Sequence, residues 1–176
     1  MRDCGERGFE WLDVPKRKIL SGGGGGSVRV NPNGNMLMAG ITSNTDVDMI
    51  AERSRAVLDE DGAVLFAYLF GSVARGTAGP LSDIDIAVYL KDGADFVEEK
   101  LNLLDLLIDK FGTDRIDVVV LNTASLPLQA RVLRCNRILL DRAPFTRHAF
   151  ESLVLRKYFD FSRFEAAVLR RRFTIG

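Results

Sequence analysis

From Thr45 onward, apolar positions recur with helical and strand spacings in alternation. Thr45, with Asp48 three residues on, reads as a capping box with Asp in place of the usual Glu or Gln. Val47, Ile50, Ala51, Val57 and Leu58 then share one helical face, and Asp61-Gly62 stops the helix. Val64 to Phe70 is an unbroken run of seven apolar residues, the mark of a strand covered on both faces. Asp83 to Leu90 predicts a second strand, with branched residues at even positions and polar or small ones at 83, 85 and 87. Val97, Leu101, Leu104, Ile108 and Phe111 step by four, three, four and three, which predicts a helix buried along that stripe. Arg115 to Leu121 reads as a third strand, Ser125 caps a short helix through Cys135, and Arg137 to Asp141 offers a fourth strand. From Phe145 to Arg172 a last helical segment carries Phe150, Leu153, Val154, Phe161, Phe164 and Val168. The sum is an α/β (α+β) domain, a small mixed sheet covered by helices, ending in a C-terminal helix.

The first forty residues carry no such pattern. Five consecutive glycines lie between Ser21 and Ser27, and Asn31 to Asn35 is turn chemistry with nothing to connect. The apolar residues before them, Phe9, Trp11, Leu12 and Val14, are too few to build a core face. Residues 1–40 therefore read as a disordered glycine-rich leader, either a natural extension or one preceding a translation start at Met36 or Met38. Residues 41–176 read as the folded domain, with 145–172 its helical C-terminal segment.

At 176 residues and 47% hydrophobic content the chain has material for one domain with a real core. Its 24 basic and 24 acidic residues balance, which argues against a protein living on nucleic-acid phosphates. No apolar run approaches the ~18–20 residues of a membrane span, and no secretory h-region stands at the N-terminus. Two cysteines are too few for a zinc site or a disulfide scaffold. These features predict a cytoplasmic protein with no membrane partner. The charge is nevertheless segregated. Residues 41–144 carry 11 basic and 17 acidic groups, and residues 145–176 carry seven and three. An acidic body suits a site that holds cations, and a basic tail suits an acidic partner surface.

The chemistry concentrates between Gly71 and Asp85. Asp83 and Asp85, two apart on a strand, point to one face with Cα atoms about 6.5–7 Å apart. Two such carboxylates can share divalent cations, and they open an otherwise apolar strand in which unpaired charge would be costly. Upstream, a buried strand runs into Gly71-Ser72 and then into a helix start. Such a turn presents backbone N–H groups to an anion, and Ser72 adds a hydroxyl. Arg75, one helical turn past Ser72, can reach the same side and neutralise phosphate charge. Asp117, an acid inside the Ile116–Val120 run, is the candidate third carboxylate, as metal ligand or as general base. His148 has no partner acid or second histidine at ligand spacing and is given no catalytic role.

Gly71-Ser72, ten intervening residues, then Asp83-x-Asp85 resembles the signature of the DNA polymerase β nucleotidyltransferase superfamily. The fuller strings Phe70 to Gly76 and Ser82 to Val88 are similar to its minimal nucleotidyltransferases, a group that resembles the antitoxin half of HEPN/MNT toxin–antitoxin pairs. The resemblance spans roughly residues 45–142 plus the C-terminal helix. It implies the polymerase-β-like nucleotidyltransferase fold, ATP as donor, two Mg²⁺ ions and transfer of AMP to a hydroxyl, here a tyrosine of a HEPN-domain toxin. By the same resemblance Gly71 and Ser72 would hold the triphosphate, Asp83 and Asp85 the metals, and Asp117 would be the third carboxylate. Two alternatives stand beside this reading. One is an antitoxin that neutralises by occlusion without catalysis; the other is transfer to a small molecule such as an aminoglycoside. An aromatic and basic C-terminal helix, with Phe159, Phe161, Phe164 and Phe173 beside Arg156, Lys157 and Arg163, suits a protein partner under any antitoxin reading.

Overall fold

The computed structural model describes residues 44–79 and 82–173, with side chains from residue 46 to residue 162. The expected leader and the methionines at 36 and 38 lie outside the described residues. Nine elements follow in order: α1 (Asn44–Glu60), β1 (Val64–Phe70), α2 (Gly71–Arg75), β2 (Ile84–Leu90), α3 (Phe96–Phe111), β3 (Ile116–Val120), α4 (Leu126–Arg134), β4 (Arg137–Asp141) and α5 (Pro144–Phe173). The strands form one mixed sheet in the order β3-β2-β1-β4. β1 pairs antiparallel with both β2 and β4, while β2 and β3 run parallel, joined through α3. A parallel pair needs a crossover of this length, which a helix supplies.

Helices cover both faces of the sheet. On one face the even positions of β2, Ile84, Ile86, Val88 and Leu90, pack with Ile50 and Leu58 of α1 and Leu103, Leu107 and Phe111 of α3. On the other, Phe66, Tyr68 and Phe70 of β1 and Ala87 of β2 pack with Ala130 and Leu133 of α4 and Val154 of α5. Strands covered on both sides explain why β1 reads as an unbroken apolar run. Phe66 stacks on Tyr89 at 4.7 Å between ring centroids, and Phe150 of α5 closes on both rings. Aromatic contacts of this kind contribute about 0.5–1.5 kcal/mol each beyond the area they bury.

α5 is also fixed by charge. The buried Arg147 donates from Nε to Asp141 Oδ2 and from Nη1 to Glu151 Oε1, both at 2.8 Å. The fully buried Tyr68 donates its hydroxyl to the same Glu151 oxygen at 2.6 Å. Burial and the neighbouring Glu151 carboxylate push the Tyr68 phenol well above its ordinary pKa. His148 joins the edge of this network, its Nδ1 3.5 Å from Glu151 Oε2. Beyond Val154 the helix leaves the body, and residues 156–161 are exposed on every side.

Three sequence expectations differ in detail. Thr45 lies inside the first turn of α1, not outside it as a cap, and Asp48 is ion-paired with Arg137 of β4 instead of facing back along the helix. Ser125 stands at the N-cap of α4 in extended conformation but makes no side-chain cap bond; Gln129 instead ties the helix start to the Leu121 carbonyl at 2.9 Å. In α3 the buried stripe is Leu103, Leu107 and Phe111, with Val97 70% and Leu101 55% exposed. The helix begins at Phe96, which packs on the core with Leu104 and Ile108, so the inward face is rotated from the predicted one.

Candidate active site

The site is assembled where β1 ends and β2 and β3 begin. Chain direction follows from the register: Phe70 lies opposite Asp85, Ile84 beside Ile116, and Asp85 beside Asp117. Ile84 N–H donates to the Arg115 carbonyl at 3.0 Å, tying the two strand starts together. Asp85 shares its side of β2 with Ala87 and Tyr89, and Asp117 shares its side of β3 with Val119, all residues of the cluster under α4 and α5. The two carboxylates are therefore neighbours on one face of adjacent strands. Asp117 is exposed and Asp83, one residue before β2, is exposed as well.

From β1 the chain turns without a loop into α2. Phe70 is extended and Gly71 takes φ +73, a left-handed conformation that L side chains rarely adopt. A Cβ at position 71 would also run into Oδ2 and Cγ of Asp85. Glycine is required twice at one position, once for the turn and once for the approach of a carboxylate to the backbone. α2 then ends after a turn and a half. Gly76, also left-handed, donates its N–H to the Val73 carbonyl, and Thr77 donates to the Ser72 carbonyl, each at 3.0 Å. This compact turn sets half-buried Ser72 and exposed Arg75 beside the carboxylates.

The electrostatics centre on Asp85. Burial pushes its carboxyl above the usual range, and the charges of Asp117 and Asp83 push it further; Arg131 and Arg75 oppose them. All three acids that the sequence singled out thus act on one place, with Arg75 in their field and Gly71 against Asp85. Arg131 was not singled out. It stands on α4, more than forty residues from the motif, and no local pattern marks it.

The donor set suits divalent cations. Three carboxylates are hard oxygen ligands, and the strain of like charge around Asp85 is what a bound cation would relieve. Among the described residues no three His, Cys, Asp or Glu side chains are gathered closely enough to enclose an ion by themselves. The carboxylates form an open rim on which substrate oxygens would complete a metal shell, as in sites that keep Mg²⁺ shared between protein and phosphates. Among the described residues, no helix is long and apolar enough to cross a membrane.

Comparison with known proteins bears on the family and the fold. The family described as polymerase beta nucleotidyltransferase matches residues 52–145. No curated protein sequence matches the chain. Among solved structures, one similar chain comes from the tri-AMPylated Shewanella oneidensis HEPN toxin in complex with MNT antitoxin. It is 22% identical, with a TM-score of 0.55 over 71% of this chain and 97% of that one. A chain of the toxin–antitoxin MntA–HepT is 22% identical, with a TM-score of 0.55 over 70% and 97%. A toxin–antitoxin structure with AMP-PNP contains a chain 25% identical, with a TM-score of 0.55 over 73% and 98%. The mixed four-stranded sheet with its C-terminal helix is the fold they share. With the family match running through α1 to β4 and across the whole carboxylate rim, the chain belongs to the polymerase β nucleotidyltransferase family.

Proposed function

We propose that this nucleotidyltransferase transfers AMP from ATP to a tyrosine hydroxyl of a HEPN-domain toxin and so acts as its antitoxin. The observation that carries the reading is the Gly71–Asp85–Asp117 arrangement: a side-chain-free turn held against one carboxylate, with a second carboxylate in register beside it. Adenylyl chemistry enters from two neighbours of the same fold, one solved with AMP-PNP and one in which the toxin is tri-AMPylated.

In this reading the Gly71–Ser72 backbone and the Ser72 hydroxyl bind the triphosphate, and Arg75 offsets its charge. Asp83 and Asp85 hold two Mg²⁺ ions, with Asp117 as the third carboxylate. Bound there, Mg²⁺ supplies charge stabilisation for the phosphates and the leaving pyrophosphate. Asp117 accepts the proton of the attacking hydroxyl as the new bond from that oxygen to the α-phosphorus forms. The bond from the α-phosphorus to the oxygen bridging the β-phosphate breaks, and pyrophosphate leaves with its electron pair.

The test is to incubate the purified chain with a HEPN toxin, ATP and Mg²⁺ and to read the toxin by intact mass and peptide mapping. The expected result is the mass of one adenylyl group per modified tyrosine, lost when Mg²⁺ is chelated. Neutralisation of the toxin with no change in its mass would favour occlusion instead.

A further inference from the structure

The register of the sheet measures how far α5 runs. Asp141, Phe66 and Tyr89 form one rung across β4, β1 and β2, and Ile138, Tyr68 and Ala87 form the next. Phe70, Asp85 and Asp117 form a third, at the carboxylate end. α5 meets these rungs in order. Arg147 holds Asp141, and Phe150 touches the rings of Phe66 and Tyr89, all on the first rung. Glu151 accepts from Tyr68 on the second. The third lies two strand residues further, about 7 Å, which a helix covers in about five residues. The helix therefore passes the rim near Arg156 and runs on. Its inward stripe runs on with it. Arg147, Glu151, Val154, Tyr158 and Phe161 step by four, three, four and three, so the last two continue the face that the first three turn to the sheet. Val154 is 2% exposed, whereas Tyr158 and Phe161 are 38% and 39% exposed, because the sheet has ended beneath them. Neither side chain makes a ring contact or a hydrogen bond among the described residues. Arg156 and Asp160 fall on the opposite side of the helix.

We infer that Tyr158 and Phe161 bind the base of the nucleotide whose phosphates lie at the rim. This rests on the nucleotidyl-transfer reading and adds a base subsite to it. Phosphates held at Gly71, Ser72 and the carboxylates leave the ribose and base to extend past the strand ends, since the packed sheet and its helices fill the other direction. On the carboxylate face, α5 sets its two rings in that space. One ribose separates the base from the α-phosphate, which is about the reach of the overhang. A base stacks on an aromatic side chain through its π-face and needs no fixed pattern of donors to do so. A protein docking on α5 from outside would meet Arg156 and Asp160 instead, while the two rings lie on the side that faces the site.

The experiment measures binding of ATP and of inorganic triphosphate, each with Mg²⁺, by calorimetry for the wild type, Tyr158→Ala, Phe161→Ala and Tyr158→Phe. We expect Tyr158→Ala to weaken ATP binding by roughly 5- to 150-fold, the worth of one stacked base, with Phe161→Ala acting in the same direction. Triphosphate affinity and melting temperature should be unchanged in both, and Tyr158→Phe, which keeps the ring, should bind ATP like the wild type. Unchanged ATP affinity in both Ala variants overturns the inference, whether or not they still adenylylate the toxin; a loss of toxin binding alone would give the rings to the protein partner. Equal losses for ATP and triphosphate overturn it too, as does a wild type that binds no ATP. A wild type that binds ATP through the two rings but adenylylates no toxin supports the inference and removes the proposed acceptor.

Discussion

Gly71 and Asp85 occupy one space: the carboxylate stands where a side chain at position 71 would be. The relation joins the end of β1 to the start of β2 across the antiparallel ladder and makes the turn part of the site. Gly71→Ala should therefore fail on two counts. The left-handed backbone costs about 1–2 kcal/mol for an L residue, and the added methyl displaces Asp85. The expected outcome is a lower melting temperature together with loss of transfer. A variant as stable and as active as the parent would contradict the assignment.

Asp85→Asn separates stability from activity. Because the folded-state pKa of Asp85 is raised, its contribution to stability is full below the ordinary value near 3.8 and is lost as pH rises through the folded value. In metal-free buffer the wild type should lose stability over that interval, and Asp85→Asn should lose less. At pH 7 the variant should show the higher urea midpoint while transferring no AMP. Adding Mg²⁺ with ATP should stabilise the wild type by mass action, about 2.7 kcal/mol at a hundredfold excess over Kd, and the variant much less.

Asp117→Asn tests the proton acceptor. Gly71, Ser72, Asp83 and Asp85 remain, so nucleotide binding should be largely retained. Transfer should slow by roughly 10²–10⁴-fold, the usual worth of a positioned base. Nucleotide titration beside single-turnover kinetics reads the two effects apart. Equal losses in both would make Asp117 a binding residue only.

Arg147 anchors α5. Replacing it with Ala leaves half-buried Asp141 and Glu151 without their shared cation, and Asp141 already has one buried oxygen, Oδ1, without a hydrogen-bond partner. Removing one partner of a fully buried ion pair costs about 3–5 kcal/mol, and with both carboxylates partly open to water the loss should fall below that range. The melting temperature should fall accordingly. Tyr68→Phe should cost only about 1 kcal/mol, because Glu151 keeps its bond to Arg147.

Elements whose cause is local were legible in the sequence. β1 and β4 fall on the residues their runs mark, and α3 ends at Phe111, the last residue of its predicted stripe. Gly71, Ser72, Arg75, Asp83, Asp85 and Asp117 are brought to one end of the sheet, as expected from the two strands that carry the acids. What the sequence hid depends on elements far apart in the chain. The inward face of α3 is set by packing on α1 and β3, so Val97 and Leu101 sit outside a stripe that their spacing suggested. The Tyr68–Glu151 bond spans 83 positions, and α4 is packed over the Asp85 side of the sheet only because it runs back between β3 and β4.

The central claim, that this site moves an adenylyl group, is tested most directly with ATP labelled either at the α- or at the γ-phosphate. Each is incubated with the wild-type chain, Mg²⁺ and a HEPN toxin. The account predicts label on the toxin from α-labelled ATP, none from γ-labelled ATP, and none from either with the Asp83→Asn/Asp85→Asn double variant. Label from γ-labelled ATP, or undiminished α-label with the double variant, would contradict it.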